Sequence, residues 1–539
     1  MPVPPTADER PRGRWNRRAG HRGRRIDDPR GEVPVNTPHE RAPLTVIGAG
    51  PAGLTGAYYA RRFGATALVL DQDTRVGGLA QTGTHRGFRF DIGGHRFFTR
   101  MPGIARLWRS MLGADFRTTN RLSRIYYNRH FFSYPLEPLP ALRTLGYRES
   151  AHIVSSYVAA RLSPRRPERT FDAWVINRFG ERLFRTFFEA YTEKVWGIPC
   201  THISAAWAAQ RIKNMSLRSA VTKALLPGSG GPTSLITQFE YPRHGPGMMW
   251  EAFARAIEAD GGRVRLGCRM ARVEHDGARV HAVHVTAGGQ TERLPVERLL
   301  STVPLQHLVR AMTPAAPDHV LAAAEGLRYR AFLTVVVLVE ARSVFPDNWL
   351  YIHEPSLQVA RIQNYKNWSA DMVPDDRYTC LGLEYFCDEG DALWSRPDAS
   401  LLQLAGEELA ALGLVPAGGV MDGTVVRMPH AYPVYDDAYV GHLAVIRSYL
   451  DTFDNLETAG RAGLHKYNNQ DHSMLTAVLA TRRLFGLRGD PWSVNADEEY
   501  HEEGDAQFVD LLTGLEHLEE TQPPALDVVG AGTPSRGDV

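Results

Sequence analysis

Gly48, Gly50 and Gly53, with Asp71 eighteen residues past the last of them, are the first residues in this chain whose types and spacing imply a chemistry. They follow the apolar run Leu44-Thr-Val-Ile47, and a helix and a second strand fit between Pro51 and Asp71. In such a unit Gly48 permits the tight turn, Gly50 lets the backbone approach a pyrophosphate, and Gly53 lets helix and strand pack closely. The helix aims the positive end of its dipole at the phosphates. Asp71 stands where a ribose hydroxyl is held. The unit predicts a dinucleotide-binding protein, and two further glycine clusters indicate which dinucleotide. Gly77 and Gly78 lie in Arg75-Val-Gly-Gly-Leu79, and Gly93 and Gly94 in Phe90-Asp-Ile-Gly-Gly-His95. Consecutive glycines clear side chains from the path of phosphates and of a planar ring. A nicotinamide dinucleotide needs neither cluster; a longer cofactor with a bulky ring system needs both.

Further along stand Tyr191-Thr-Glu-Lys-Val-Trp196-Gly-Ile-Pro199 with Trp207 and Arg211 behind it, Val359-Ala-Arg361-Ile-Gln-Asn-Tyr365, and Tyr432 before Pro433. The last segment runs Gly460-Arg461-Ala-Gly-Leu-His-Lys466-Tyr467-Asn-Asn469-Gln-Asp471-His472-Ser473-Met474. Asn469, Asp471 or Ser473 can cap a helix running to about 485, whose N-terminal amides would then favour negative charge on a bound ring. His472 reads more simply as part of such a cap than as a catalytic group.

Taken together, these segments resemble the FAD-binding amine oxidase and protoporphyrinogen oxidase superfamily, and the Gly-Gly-His element is similar to UDP-galactopyranose mutase and its relatives. The resemblance covers roughly residues 44 to 490. It implies an α/β fold: a glutathione-reductase-like (Rossmann-type) FAD-binding domain with an inserted mixed α+β substrate domain. It implies that FAD is held by Gly48, Gly50, Gly53 and Asp71 at one end and by Gly77, Gly78, Gly93 and Gly94 along its length. Val273, in a strand at 271–275, and Gly460, Arg461, Asn469, Asp471 and Met474 complete the implied cofactor set. His95 would lie beside the isoalloxazine, where an imidazole that changes charge near neutral pH tunes the flavin.

The resemblance also implies a nucleoside-diphosphate sugar as substrate. Arg211 and Arg361 would act on its diphosphate as catalytic cations, since a planar guanidinium meets two phosphate oxygens at once. Trp196, Tyr365, Tyr432, Tyr467 and Asn469 would line the pocket. Two registers depart from the mutase pattern: Arg361 precedes Tyr365 by four residues where the family has seven, and Tyr467 to Asn469 is two residues short. Each side chain also has a plainer reading: a backbone-satisfied His95, an ion-paired Arg211, a Trp196 in the core, a Tyr432 in a turn. The implied activity is pyranose to furanose isomerisation by covalent chemistry of reduced FAD, with NADPH or NADH as external reductant. The alternative is an FAD-dependent oxidoreductase taking hydride from an amine, a porphyrinogen-like ring or a polyene. For that, Lys466 is the one lysine inside a flavin motif.

The elements that must position these residues follow from composition and pattern. With 539 residues, 43% of them apolar, the chain can bury two or three cores. Its 62 basic residues nearly balance 60 acidic ones, so no overall field favours nucleic acid or a membrane surface. The four cysteines lack CxxC pairing, which argues against zinc or a disulfide framework. The longest apolar run, Phe332 to Val339, is too short to cross a bilayer, and a cytoplasmic enzyme is expected. Residues 1–42 read as a disordered, arginine-rich leader, and 491–539 as an acidic tail. Segments 43–110, 240–310 and 455–490 are expected to form the cofactor domain, with 111–239 and 311–454 forming the substrate domain. A helical stretch is expected at 171–193, another at 249–259, and strands at 264–268, 271–275, 279–286, 297–302 and 331–340.

Overall fold

A computed structural model describes residues 41–494, apart from 135, 137 and 206–236. The expected leader (all but its last two residues), most of the acidic tail, Trp207 and Arg211 lie outside the described residues. The strand Arg41–Ile47 is the centre of a five-stranded parallel sheet. Ala65–Leu70 and Arg263–Arg265 flank it on one side, Arg298–Ser301 and Leu456–Thr458 on the other. Leu44 to Ile47 are all buried, as befits a parallel strand covered on both faces. The helix Pro51–Ala60 covers one face, opened by a proline at its first position and packed on Gln470–Leu484. The helix also sits close on the turn that precedes it, where a Cβ on Gly53 would fall 1.8 Å from the Gly48 carbonyl oxygen.

A smaller antiparallel sheet joins Gln290–Pro295, Val280–Ala287 and Arg269–His275, with Met312–Thr313 parallel at its edge. The strand Gln290–Pro295 has no apolar pattern and was not expected. Its signal is the turn before it, Gly288 and Gly289 at φ 55° and 81°, the left-handed pair that a two-residue hairpin demands.

The third sheet has seven strands, in the order Val420–Pro433, Tyr329–Val339, Thr379–Cys387, Arg361–Asn364, Trp349–Ile352, Ser123–Tyr127, His130–Ser133. Against it packs a helical unit of Pro138–Leu145, Tyr147–Leu162, Phe171–Phe179, Glu181–Phe184 and Ala190–Trp196. The single helix expected over 171–193 is divided. Gly180 breaks it at φ 85°, and glycine is required there, since a Cβ would lie 2.7 Å from the Tyr157 nitrogen. Beyond the break, Leu183, Phe184 and Phe187 are buried, with Phe188 and Tyr191 at the margin. The result is the expected α/β architecture: a parallel cofactor-binding sheet joined to a mixed α+β region.

Candidate functional site

A cleft of about 770 Å³ opens at the carboxyl ends of the parallel strands and runs to the seven-stranded sheet. Open α/β sheets bind ligands at this edge. At the near end Gly48 takes φ 107° and donates its N–H to Leu70 O at 2.8 Å. Gly50 faces the cleft, where a Cβ would have no protein atom nearer than Gly78 Cα at 3.9 Å. This is a cradle left open for a ligand, bounded by the N-terminus of Pro51–Ala60. Asp71 closes it. Its Oδ2 accepts from Ala49 N–H at 2.6 Å and its Oδ1 from Asp73 N–H at 2.8 Å, and burial lifts its pKa above the ordinary carboxylate value. Gly77 donates to Ala49 O at 2.8 Å and so ties the second glycine cluster to the first.

At the far end the wall includes Gly93, Gly94, His95, Tyr432 and Tyr467. Gly94 is pressed against Gln363, whose Nε2 would be 2.8 Å from a Cβ on it. Burial pushes the His95 imidazole down to about 3, and the charges of Arg461 and Arg361 act in the same direction. His95 is therefore neutral through the neutral range, and the expectation that it changes charge there is corrected. Its Nδ1 is buried without a protein partner, which leaves a polar atom for a bound ring.

Arg361 lies directly across the ladder from Glu384 and forms a salt bridge with it through Nη2. The same Nη2 donates to Tyr432 Oη at 3.0 Å. Glu384 is fully buried and also accepts from Gln363 Nε2 at 2.8 Å. Tyr432 stacks on Tyr467 with ring centroids 5.4 Å apart, and the Arg461 guanidinium lies 4.6 Å from the Tyr467 centroid. Arg461 is held by the carbonyls of Asn468 and Ala431 at 3.0 and 3.2 Å, and among the described residues it has no carboxylate in ion-pair reach. Asn469 takes the N-cap position of Gln470–Leu484, and Asn469, Asp471 and Gly460 join the wall.

Several expected residues are not brought to the cleft. Tyr365 is fully buried in a core cluster and donates to Asp91 O at 2.8 Å, because the short strand before it turns its ring beneath the glycine loop. Trp196 packs in the core of the helical unit. Val273 points into the core opposite Val283; the residues of its strand that reach the wall are Arg269 to Ala271. Gly53 and Met474 also sit behind it, the latter accepting from Trp108 Nε1 at 3.1 Å. Lys466 turns away and donates to the carbonyls of Trp492 and Val494.

The sequence reading missed Asp91, Glu384 and Gln363. Asp91 is fully buried behind the loop, accepts from Tyr241 Oη at 2.6 Å, and burial raises its pKa well above the carboxylate range. Only its place two residues before Gly93 could have flagged it; Glu384 and Gln363 sit in runs that read as ordinary strands.

An open glycine cradle with a buried acid beside it, continuous with a chamber at the far end, fits a dinucleotide cofactor, and the family of the chain makes it an FAD-dependent enzyme. The chain belongs to the flavin containing amine oxidoreductase family, whose pattern matches residues 51–413. Its fold is similar to that of reduced UDP-galactopyranose mutase: TM-score 0.73, 20% identity, covering 84% of this chain and 97% of that one. A redesigned putrescine oxidase aligns with TM-score 0.55 and 17% identity over 81% of this chain and 97% of that one. In sequence, the inactive all-trans-retinol 13,14-reductase of Danio rerio is 47% identical over 62 residues, which span 12% of this chain and 9% of that protein. Among the described residues no helix is long and apolar enough to cross a membrane.

Proposed function

We propose that this flavoenzyme is a sugar-nucleotide mutase that interconverts pyranose and furanose rings. The observation that carries the reading is the convergence of Arg361 and Arg461 on the stacked phenols of Tyr432 and Tyr467. Arg461, which has no carboxylate in ion-pair reach among the described residues, attracts a diphosphate and repels a protonated amine, and Arg361 stands beside it on the same wall. FAD, when bound in its reduced form, supplies the electron-rich ring for covalent chemistry at the anomeric carbon. The chain's own residues do the rest. Arg461 holds the diphosphate within reach for its return. Tyr432 and Tyr467 orient the sugar, and neutral His95 offers a hydrogen-bonding nitrogen to the ring without adding charge.

A second reading, hydride transfer from an uncharged organic substrate, is favoured by one feature: Glu384 already neutralises Arg361. Incubating dithionite-reduced holoprotein with UDP-galactose and other sugar nucleotides separates the two. A furanose product supports the mutase. If no sugar nucleotide is turned over, and oxidised protein is instead bleached by an organic substrate with release of hydrogen peroxide, the mutase reading falls.

A further inference from the structure

The helix Tyr147–Leu162 has two unlike faces. Ile153 and Ala160 are buried, while Tyr147, Val154, Val158 and Leu162 are exposed at 97%, 47%, 48% and 82%. With Ala151 these fall at the spacing of a single stripe, and sixteen residues make it roughly 24 Å long. An uncovered apolar stripe of that length marks an interaction surface.

The charge around it is as one-sided as the stripe is apolar. Six arginines and two glutamates lie between Arg143 and Arg169. Both glutamates are engaged, Glu149 by Arg182 at 2.5 Å and Glu168 by Arg178 at 2.8 Å, and Arg165 is held by Asp172. Arg143, Arg148, Arg161, Arg166 and Arg169 are exposed and, among the described residues, have no carboxylate in ion-pair reach. At 100° per residue Arg148 and Arg161 fall on opposite flanks of the stripe. The near-zero balance of the whole chain averages over this patch.

We propose that this helix is a peripheral docking surface for an anionic phospholipid bilayer. It lies in the interface plane, with Tyr147, Val154, Val158 and Leu162 at the boundary of headgroups and acyl chains and the arginines on the phosphates. A second copy of this chain fits poorly, because a two-fold contact sets each arginine flank against like charge. A folded acidic protein is also disfavoured. The apolar side chains stand up as a ridge with their most exposed members at its two ends, a shape that a fluid interface accepts without preformed pockets. The buried face of the helix shares its core cluster with Phe332 and Tyr432, which line the cleft, so docking sets the substrate side of the molecule near the lipid.

Co-sedimentation of full-length FAD-loaded protein with vesicles tests this. Binding is expected to phosphatidylglycerol/phosphatidylcholine vesicles at low salt, to fall at least tenfold in 0.5 M salt, and to be absent on pure phosphatidylcholine. Val154→Asp with Val158→Asp, and separately Arg161→Glu with Arg166→Glu, should each lower partitioning at least tenfold while leaving flavin absorbance and melting temperature unchanged. No binding by the parent protein overturns the proposal. So does undiminished binding by both variants, which would assign lipid contact to another part of the chain such as the arginine-rich first 42 residues. A lipid-free dimer that the aspartates dissociate would make a second copy the occupant, and would equally overturn it.

Discussion

At Gly50 and Gly53, three residues apart, adding a side chain has opposite consequences. A Cβ on Gly50 enters the open cradle, so Gly50→Val should fold normally and lose its flavin. The absorbance ratio at 450 and 280 nm, read beside the melting curve, checks this; a yellow Gly50→Val protein would contradict the cradle. A Cβ on Gly53 meets the Gly48 carbonyl, so Gly53→Ala should cost at least about 3 kcal/mol and reduce soluble yield. Both glycines were legible from spacing alone, because a pyrophosphate turn imposes strict local geometry. Glu384 was not legible, since its importance comes from a cross-strand neighbour 23 residues away. Glu384→Gln leaves the Arg361 guanidinium without its counter-ion. Urea denaturation should show a loss of about 3 kcal/mol. Calorimetry should show tighter binding of UDP, because the freed charge then faces the cleft; unchanged UDP affinity would remove Arg361 from the substrate site.

Among the elements, those with strong apolar runs were readable and those with polar surfaces were not. Tyr329–Val339 is covered on both faces and advertises itself by composition. Gln290–Pro295 is exposed along most of its length and is held in the sheet by its hairpin. Gly288→Asn should therefore be nearly neutral and Gly288→Val should cost about 1 to 2 kcal/mol, as measured by thermal denaturation. The same logic explains Tyr365 and Trp196. The family resemblance named them as pocket residues, but whether an aromatic faces a cavity or a core depends on the tilt of its element, which a motif does not encode.

On the scale of the whole molecule, the buried imidazoles of His353 and His465 and the half-buried one of His95, among the described residues, weaken the fold in acid. Burial lowers His95 and His353 to about 3 and His465 to about 4, against an ordinary value of 6.5. The unfolded chain therefore binds more protons than the folded one below about pH 6.5, and stability falls as the pH drops toward these lowered values. Glu457, raised by burial to about 7, works in the opposite sense between 4.5 and 7, so the test is a difference. His465→Gln should flatten the loss of melting temperature between pH 7 and pH 5 relative to the parent protein. An identical slope would mean that His465 is not buried neutral.

The parallel sheet also has a consequence in time. Its central strand ends at Ile47, its neighbours come from 65–70 and 298–301, and the outermost strand is Leu456–Thr458. At roughly 5 to 20 residues per second on a ribosome, tens of seconds separate the first glycine turn from the last strand of its sheet. Until then the greasy Leu44 to Ile47 segment has no complete shelter, so chaperone supply during synthesis, more than cofactor supply afterwards, should govern how much coloured protein a cell yields.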